Sequence, residues 1–437
     1  MRTFLVLWCG QFASLIGSAL TSFALGVWVF QQTGSVTGLG LVYLLTFLPG
    51  ILVAPFTGAL VDRWDRRKPL LLSVGGGVAC TLVLATLYAT DLLQPWHIYV
   101  TSAVTSVLTA LQLPAFTATV SLLVPRAQLG RANGMVLFAQ AVSQIVGPFA
   151  GGFLIAAVDL QGVVLVDCLS FALALGCLLT IRLPRPKATL EGSAGSGSLL
   201  GETAQSWRYI TRRPGLLWLL VFYAVLNFAV GFVDVLITPL VLSFSETGAL
   251  GTVMAVGGVG MVLGSVLMSV WGGPRRRIHG VLGFSLLLGL ALTLGSLRAN
   301  LVLIAGAAFV FLFCSAVINA SSRSIWQTKV EPDMQGRVIA LENMVATSSL
   351  PVAYLLAGPL TDHLFQPLMN ADGALAHNVG ALIGTGAGRG MALLLLGCGM
   401  TILLTAVAGY LHPRLRQVEE ELPDALPSVP TPEPTTA

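Results

Sequence analysis

Charge is what this 437-residue chain has least of. Only 10% of its residues are Asp, Glu, Lys or Arg, while 55% are hydrophobic. A soluble domain carries about 25% charged residues, so this chain could not cover a water-facing surface. Its 23 basic and 19 acidic residues leave a formal net charge of +4, and no nucleic-acid partner is expected. There is no G-x-x-x-x-G-K-[ST] run, which excludes a P-loop ATPase. No stretch is left for a soluble domain either. The six cysteines (Cys9, Cys80, Cys168, Cys177, Cys314 and Cys398) all fall in apolar runs, and none makes a C-x-x-C pair. They read as small packing residues rather than a disulfide framework or a metal site. No metal, no cofactor and no enzymatic activity are expected. Nor is a cleavable leader: the first apolar run is too long and no small-residue cleavage site follows it.

What the chain does have is apolar runs of about twenty residues, each long enough to cross a hydrocarbon core of about 30 Å. At that depth a backbone must satisfy its own hydrogen bonds, so each run reads as a helix. The spans are expected near 5–30, 38–61, 70–90, 97–123, 133–157, 162–181, 216–242, 248–272, 278–297, 301–322, 337–360 and 389–411. This predicts an all-α membrane protein of twelve transmembrane helices in two six-helix halves. The halves are expected at 1–182 and 216–412, a cytoplasmic linker with a surface helix at 183–215, and a disordered cytoplasmic tail at 413–437.

The basic residues are placed unevenly. With the N-terminus in the cytoplasm, 21 of the 23 Lys and Arg fall on the cytoplasmic side, and only Arg298 and Arg389 lie elsewhere. That bias predicts a bacterial-type inner membrane protein with both termini cytoplasmic. The linker opens with Glu191–Ser198 (EGSAGSGS), a flexible tether. Leu200, Trp207 and Ile210 then recur near helical spacing beside Arg208, Arg212 and Arg213, the pattern of a helix lying on the membrane surface. The acidic, then Pro-rich stretch from Gln417 carries no apolar pattern to fold around.

The sequence repeats itself. Gly130-Arg131 answers Gly336-Arg337, Gly147-Pro148 answers Gly358-Pro359, and the basic cluster at Arg66 answers the one at Arg275. These offsets are 206, 211 and 209 residues, about half the membrane domain. Parallel six-span repeats are one way transporters are built, with the substrate site between the halves near mid-membrane.

The loop after the second span reads Gly58-Ala-Leu-Val-Asp62-Arg63-Trp64-Asp65-Arg66-Arg67-Lys68. It resembles the G-x-L-x-D-R-x-G-R-R/K signature of the major facilitator superfamily, with Asp65 where the second glycine usually stands. The resemblance implies the major facilitator fold and a cytoplasmic latch that holds the halves together in the outward-open state. Carried over, Asp62 would face Gly336 and Arg337 at the start of span eleven, with Arg131 an alternative partner. Bare topology would explain Arg63, Arg66, Arg67 and Lys68, but does not require Gly58 or Asp62.

Span five carries Gly134, Ser143, Gly147-Pro148 and Gly151-Gly152. This resembles the antiporter motif of facilitator exporters, with Ser143 replacing one glycine, and implies export rather than uptake. Simple packing of a Gly-rich helix is the competing reading. Trp8–Ser18, Thr33-Gly34-Ser35, Leu113-Pro114-Ala115 and Asp167–Phe171 further resemble the branch of macrolide-efflux proteins and enterobactin exporters. Drug–proton antiporters of the superfamily often carry an arginine in span four. Here that span is uncharged from Tyr99 to Leu123.

Ionisable groups within spans are few: Asp167, Asp234 and Glu342, with Arg389 at the mouth of span twelve. Each costs roughly 2.5–3.5 kcal/mol to insert, so each should have a role. Asp234, with Asn227 two turns earlier on nearly the same face, is the first candidate for proton coupling or for binding a cationic substrate. A structural pairing near the external end is the alternative. Glu342 sits near the expected latch, where gating or structure is favoured over substrate contact. Asp167 suits a cap or a structural pair. Neutral candidates are Gln11, Gln112, Gln140, Gln144 and Asn319, since amides in lipid turn inward, though many only join neighbouring helices.

These features together predict a monomeric secondary active exporter, a proton antiporter working by alternating access in membrane lipid. An apolar cavity with scattered polar points suits a large amphipathic molecule: a drug, a macrolide-like compound or a siderophore. The alternatives are a lipid or lysolipid transporter and a non-transporting membrane sensor or scaffold.

Overall fold

The computed structural model describes residues 2–63, 67–125, 128–181, 199–331 and 334–421. Within them lie α1 (Arg2–Thr33), α2 (Val36–Arg63), α3 (Arg67–Ala89), α4 (Pro95–Leu123) and α5 (Leu129–Thr180). The linker helix α6 (Leu199–Thr211) follows, then α7 (Pro214–Leu242), α8 (Thr247–Trp271), α9 (Arg277–Gly295), α10 (Leu301–Lys329) and α11 (Gln335–Pro359). The last described elements are α12 (Arg389–Leu411) and two short helices, α13 (Pro413–Arg416) and α14 (Val418–Glu421). No strand occurs among the described residues. Among the described residues, twelve stretches are long and apolar enough to span a membrane. Exposed apolar side chains such as Leu169, Val270, Val302 and Leu404 stud the outside, as a lipid-facing surface requires.

Local chemistry sets the helix ends. Asn300 caps α10, its side chain accepting from the amides of Val302 and Leu303 at 2.9 and 3.2 Å. Proline stands first in α4 and α7, where a missing N–H costs nothing. Gly272, at φ 74°, closes α8 in the left-handed conformation, which a side chain would disfavour. Spans five and six share α5 without a loop and part at Asp159, whose φ is 54° and ψ −178°.

The halves repeat one packing scheme. α1 packs on α5 and α2 on α4 in the first half; α7 packs on α11 and α8 on α10 in the second. The halves meet along two seams, α2 against α11 and α5 against α8. The proximal end is here the one where α1 begins and α12 finishes; the distal end is opposite.

Three expectations change. Span ten runs on to Lys329, so Arg323 and the buried Lys329 belong to the helix and not to a loop. Span eleven continues past Leu360 as a π-helical turn, Leu360–Phe365, so Asp362 leaves the loop expected at 361–388. The tail is ordered as far as Glu421. Glu419 accepts from the Ile278 amide at 2.8 Å, Lys329 donates to the Glu419 carbonyl at 2.5 Å, and Arg276 pairs with Glu420 at 2.6 Å. Val418 is wholly buried. A disordered tail could therefore begin only after that point; the residues beyond Glu421 lie outside the described residues, as does the tether Glu191–Ser198.

The linker helix has the expected amphipathic pattern, but its apolar face meets protein. Ile210 is fully buried while Trp207 and Arg208 are exposed. Arg213 lies over the Tyr209 ring at 3.6 Å and reaches Glu331 at 3.4 Å. Arg337 donates to Gln205 at 3.5 Å.

Candidate functional site

Asp234 sits on α7 and faces α11. The Tyr354 hydroxyl donates to its Oδ2 at 3.1 Å. The Tyr354 ring packs against two rings of α2, Tyr43 at 5.5 Å and Phe47 at 5.8 Å between centroids. α2 belongs to the first half and α11 to the second, so this aromatic group joins the halves one hydrogen bond from a carboxylate. Gly40 makes the approach feasible: a Cβ there would sit 2.7 Å from the Tyr354 carbonyl oxygen.

On its other side Asp234 borders a cavity of about 130 Å³ inside the second half, lined by Ile237, Met254, Phe311 and Leu395 among others. Ligand pockets for drug-sized molecules run to about 300–1,000 Å³. The cavity therefore suits a few waters or a proton relay better than a drug. A larger hollow of about 340 Å³ opens at the distal end between the halves and is lined by Trp28, Tyr88, Asp159 and Glu246. It shares no residue with the first.

The other candidates are scattered. Asn227 donates to the Tyr223 carbonyl of its own helix at 3.0 Å, so it does not complete a pair with Asp234. Tyr223 donates to Asn319 at 3.2 Å, tying α7 to α10. Glu342 is buried on α11, where the Arg323 guanidinium of α10 acts on it. Gln112 donates to Gln11, joining α4 to α1. The Gln11 amide nitrogen is buried with no partner among the described residues. Gln140 gives its carbonyl to Ser143 at 2.9 Å, and Gln144 is exposed. Asp167 is 2% exposed, with the hydroxyls of Ser170 and Thr81 at 3.3 and 3.4 Å. A Cβ on Gly17 would fall 2.6 Å from its carboxylate oxygen. That carboxylate lies where α1, α3 and the second arm of α5 meet. Buried Arg389 donates to the Ile383 carbonyl at 2.8 Å. No three His, Cys, Asp or Glu side chains converge on a metal-sized site among the described residues.

The two motifs fare differently. Arg66 lies outside the described residues, and of Gly58, Asp62, Arg63 and Gly336 only the backbone is described. Arg67 reaches the Leu179 carbonyl at 3.3 Å and Arg131 is exposed. In span five, a Cβ on Gly147 would meet Ala19 at 2.6 Å and one on Gly151 would meet Phe23 at 2.9 Å, both on α1. Gly152 faces the other half, where a Cβ would sit 2.6 Å from Gly251 Cα. Pro148 lies mid-helix between them. Around Gly134 nothing would lie within 4 Å of a Cβ.

Sequence reasoning missed Tyr43, Phe47, Tyr354 and Asp362.

Twelve spans, a duplicated packing scheme and a carboxylate beneath the seam between the halves describe a transporter. The family model of the Major Facilitator Superfamily matches residues 7–354. This chain belongs to the Major Facilitator Superfamily. Among superfamily members, Macrolide efflux protein A of Streptococcus pyogenes is 26% identical over 383 residues, covering 83% of this chain and 90% of that protein. Multidrug efflux pump Tap of Mycolicibacterium fortuitum is 26% identical over 364 residues, covering 79% and 86%. In fold, the chain is similar to a bacterial homologue of the human lysosomal transporter Spinster in an inward-facing, unoccupied conformation (TM-score 0.71, 14% identity, 98% of each chain). It is also similar to the nucleoside transporter NupG (TM-score 0.69, 12% identity, 94% of this chain and all of that one). The protein is thus an integral membrane transporter with efflux-pump relatives, and not an enzyme.

Proposed function

We propose that this superfamily member is a proton-driven exporter of hydrophobic or amphipathic small molecules, macrolide-like compounds and drugs first among them. The observation that carries the reading is the Asp234–Tyr354 hydrogen bond at the α2–α11 seam. A carboxylate at membrane depth must have a role. This one has a phenol partner from α11, whose ring in turn touches the opposite half. Gaining or losing a proton at Asp234 changes what Tyr354 can do, and Tyr354 feels the relative position of the halves. The efflux relatives support the direction of transport, and the span-five glycines agree with it. The bias of the basic residues supports both termini, and so the proximal end, facing the cytoplasm.

The membrane potential supplies about 2.3 kcal/mol per charge per 100 mV, enough for useful accumulation against one exchanged proton. Proteoliposomes with an imposed pH gradient and a panel of amphipathic compounds test the reading. Wild type should show gradient-stimulated flux. Asp234→Asn should retain downhill flux and lose the stimulation. A variant stimulated as strongly as wild type would remove Asp234 from the coupling step.

A further inference from the structure

The first turn of any helix leaves amide N–H groups without intrahelical partners, and they are met as a rule by a side chain at the helix's own N-cap. In α2 the Gly38 amide is met that way, by the Ser35 hydroxyl at 3.3 Å, but the two amides before it are met by the other half of the molecule. Asp362, in the π-turn that extends α11, accepts from the Val36 amide through Oδ1 at 3.3 Å. Its Oδ2 accepts from the Thr37 amide at 3.0 Å, the Thr37 hydroxyl at 2.7 Å and the Ser35 hydroxyl at 2.8 Å. One carboxylate thus takes four donors, each from the opposite half and all at the distal end. The positive end of the α2 dipole adds to the attraction.

The surrounding contacts are built for this closure. A Cβ on Gly358, one turn before Asp362, would stand 2.2 Å from Thr37 Cα. Gly152 and Gly251 touch backbone to backbone on the second seam, and Gln31 donates to Thr247 across it at 3.3 Å. Five side-chain hydrogen bonds between the halves lie at this end. They also explain Thr33-Gly34-Ser35, a run that no transport role has yet absorbed. Gly34 turns the chain at φ 64°, and the Thr33 hydroxyl accepts from the Ser35 amide at 3.2 Å, setting Ser35 in place for Asp362.

We infer that Asp362 and the Ser35–Thr37 turn form the distal gate latch of the transport cycle, holding the halves closed at that end and releasing when the cycle opens it. For the distal end to open, α2 and α11 must part. Four hydrogen bonds to a charged acceptor then break together, and the first amides of α2 pass to water. The inference depends on neither the substrate nor the energy source, so it stands or falls separately from the exporter reading.

Spin labels test it. In a chain whose six cysteines are replaced, labels at Gln31→Cys and Thr247→Cys report the distal distance by double electron–electron resonance in nanodiscs. Asp362→Ala should raise the long-distance, distal-open population roughly fivefold or more, since hydrogen bonds to a charged group are the strong ones. Asp362→Asn should fall between. Should Asp362→Ala fail to fold, the double variant Ser35→Ala with Thr37→Val takes two hydroxyl donors from the other partner and should shift the population the same way. A distance distribution unchanged from the parent, in whichever of these variants folds, overturns the latch.

Discussion

Tyr354 has two duties that can be separated by one atom. Its ring fills the seam against Tyr43 and Phe47, and its hydroxyl serves Asp234. Tyr354→Phe keeps the first and removes the second. A hydrogen bond of this kind contributes about 0.5–1.5 kcal/mol, so gradient-driven flux should fall roughly two- to tenfold with the fold intact. Initial rates in proteoliposomes, beside a thermal unfolding curve, check both halves of that statement. Tyr43→Phe keeps its ring against Tyr354 and should leave the flux within about twofold of wild type by the same reckoning. The glycines of span five separate in the same way. A methyl at Gly152 meets the Gly251 backbone, while one at Gly134 meets open space. Gly152→Ala should therefore hold the distal seam apart and abolish transport, whereas Gly134→Ala should transport normally. Equal losses in both would mean that the motif acts through something other than close packing.

At the scale of elements, the α2–α11 pair carries an acid near each end: Asp62 one residue before α2 finishes and Asp362 just past α11. At the distal end an aspartate on the first amides of the facing helix closes the antiparallel pair; the side chain of Asp62 lies outside what is described. Helix ends also offer a stability test. Asn300→Ala should cost about 1 kcal/mol through the lost cap on α10, and Asn300→Asp should restore it, read as the midpoint of thermal unfolding in detergent. The spans were legible from sequence because an apolar run of twenty residues needs no partner to declare itself. The repeat was legible because the Gly-Arg and Gly-Pro pairs kept their spacing. What was not legible was the facing of one run toward another. Tyr43 and Phe47 lie in an apolar stretch that looks alike on every side, and only packing decides that this side meets Tyr354. Asp362 was hidden differently. Gly358-Pro359 followed by polar residues reads as a helix end, but the chain widens into a π-turn, with the Gln366 amide reaching the Thr361 carbonyl, and carries the aspartate on.

For the whole molecule, the proposed proton antiport makes transport depend on the proton gradient. Cells loaded with a fluorescent amphipathic compound should extrude it, and an uncoupler should stop extrusion. Efflux that continues unchanged in uncoupled cells would sink proton antiport while leaving the fold and family untouched. The two halves also differ in how they are finished. The first is closed by its own six spans. The second is completed by Glu419 and Glu420, which bind the start of α9, the end of α10 and Arg276. Those two glutamates follow the final span in the chain. The second half therefore waits, through the synthesis of α9, α10, α11 and α12, for a peptide that is made only after them, and a chain cut between Leu411 and Val418 would carry the twelve described spans yet lack the clasp that gathers them.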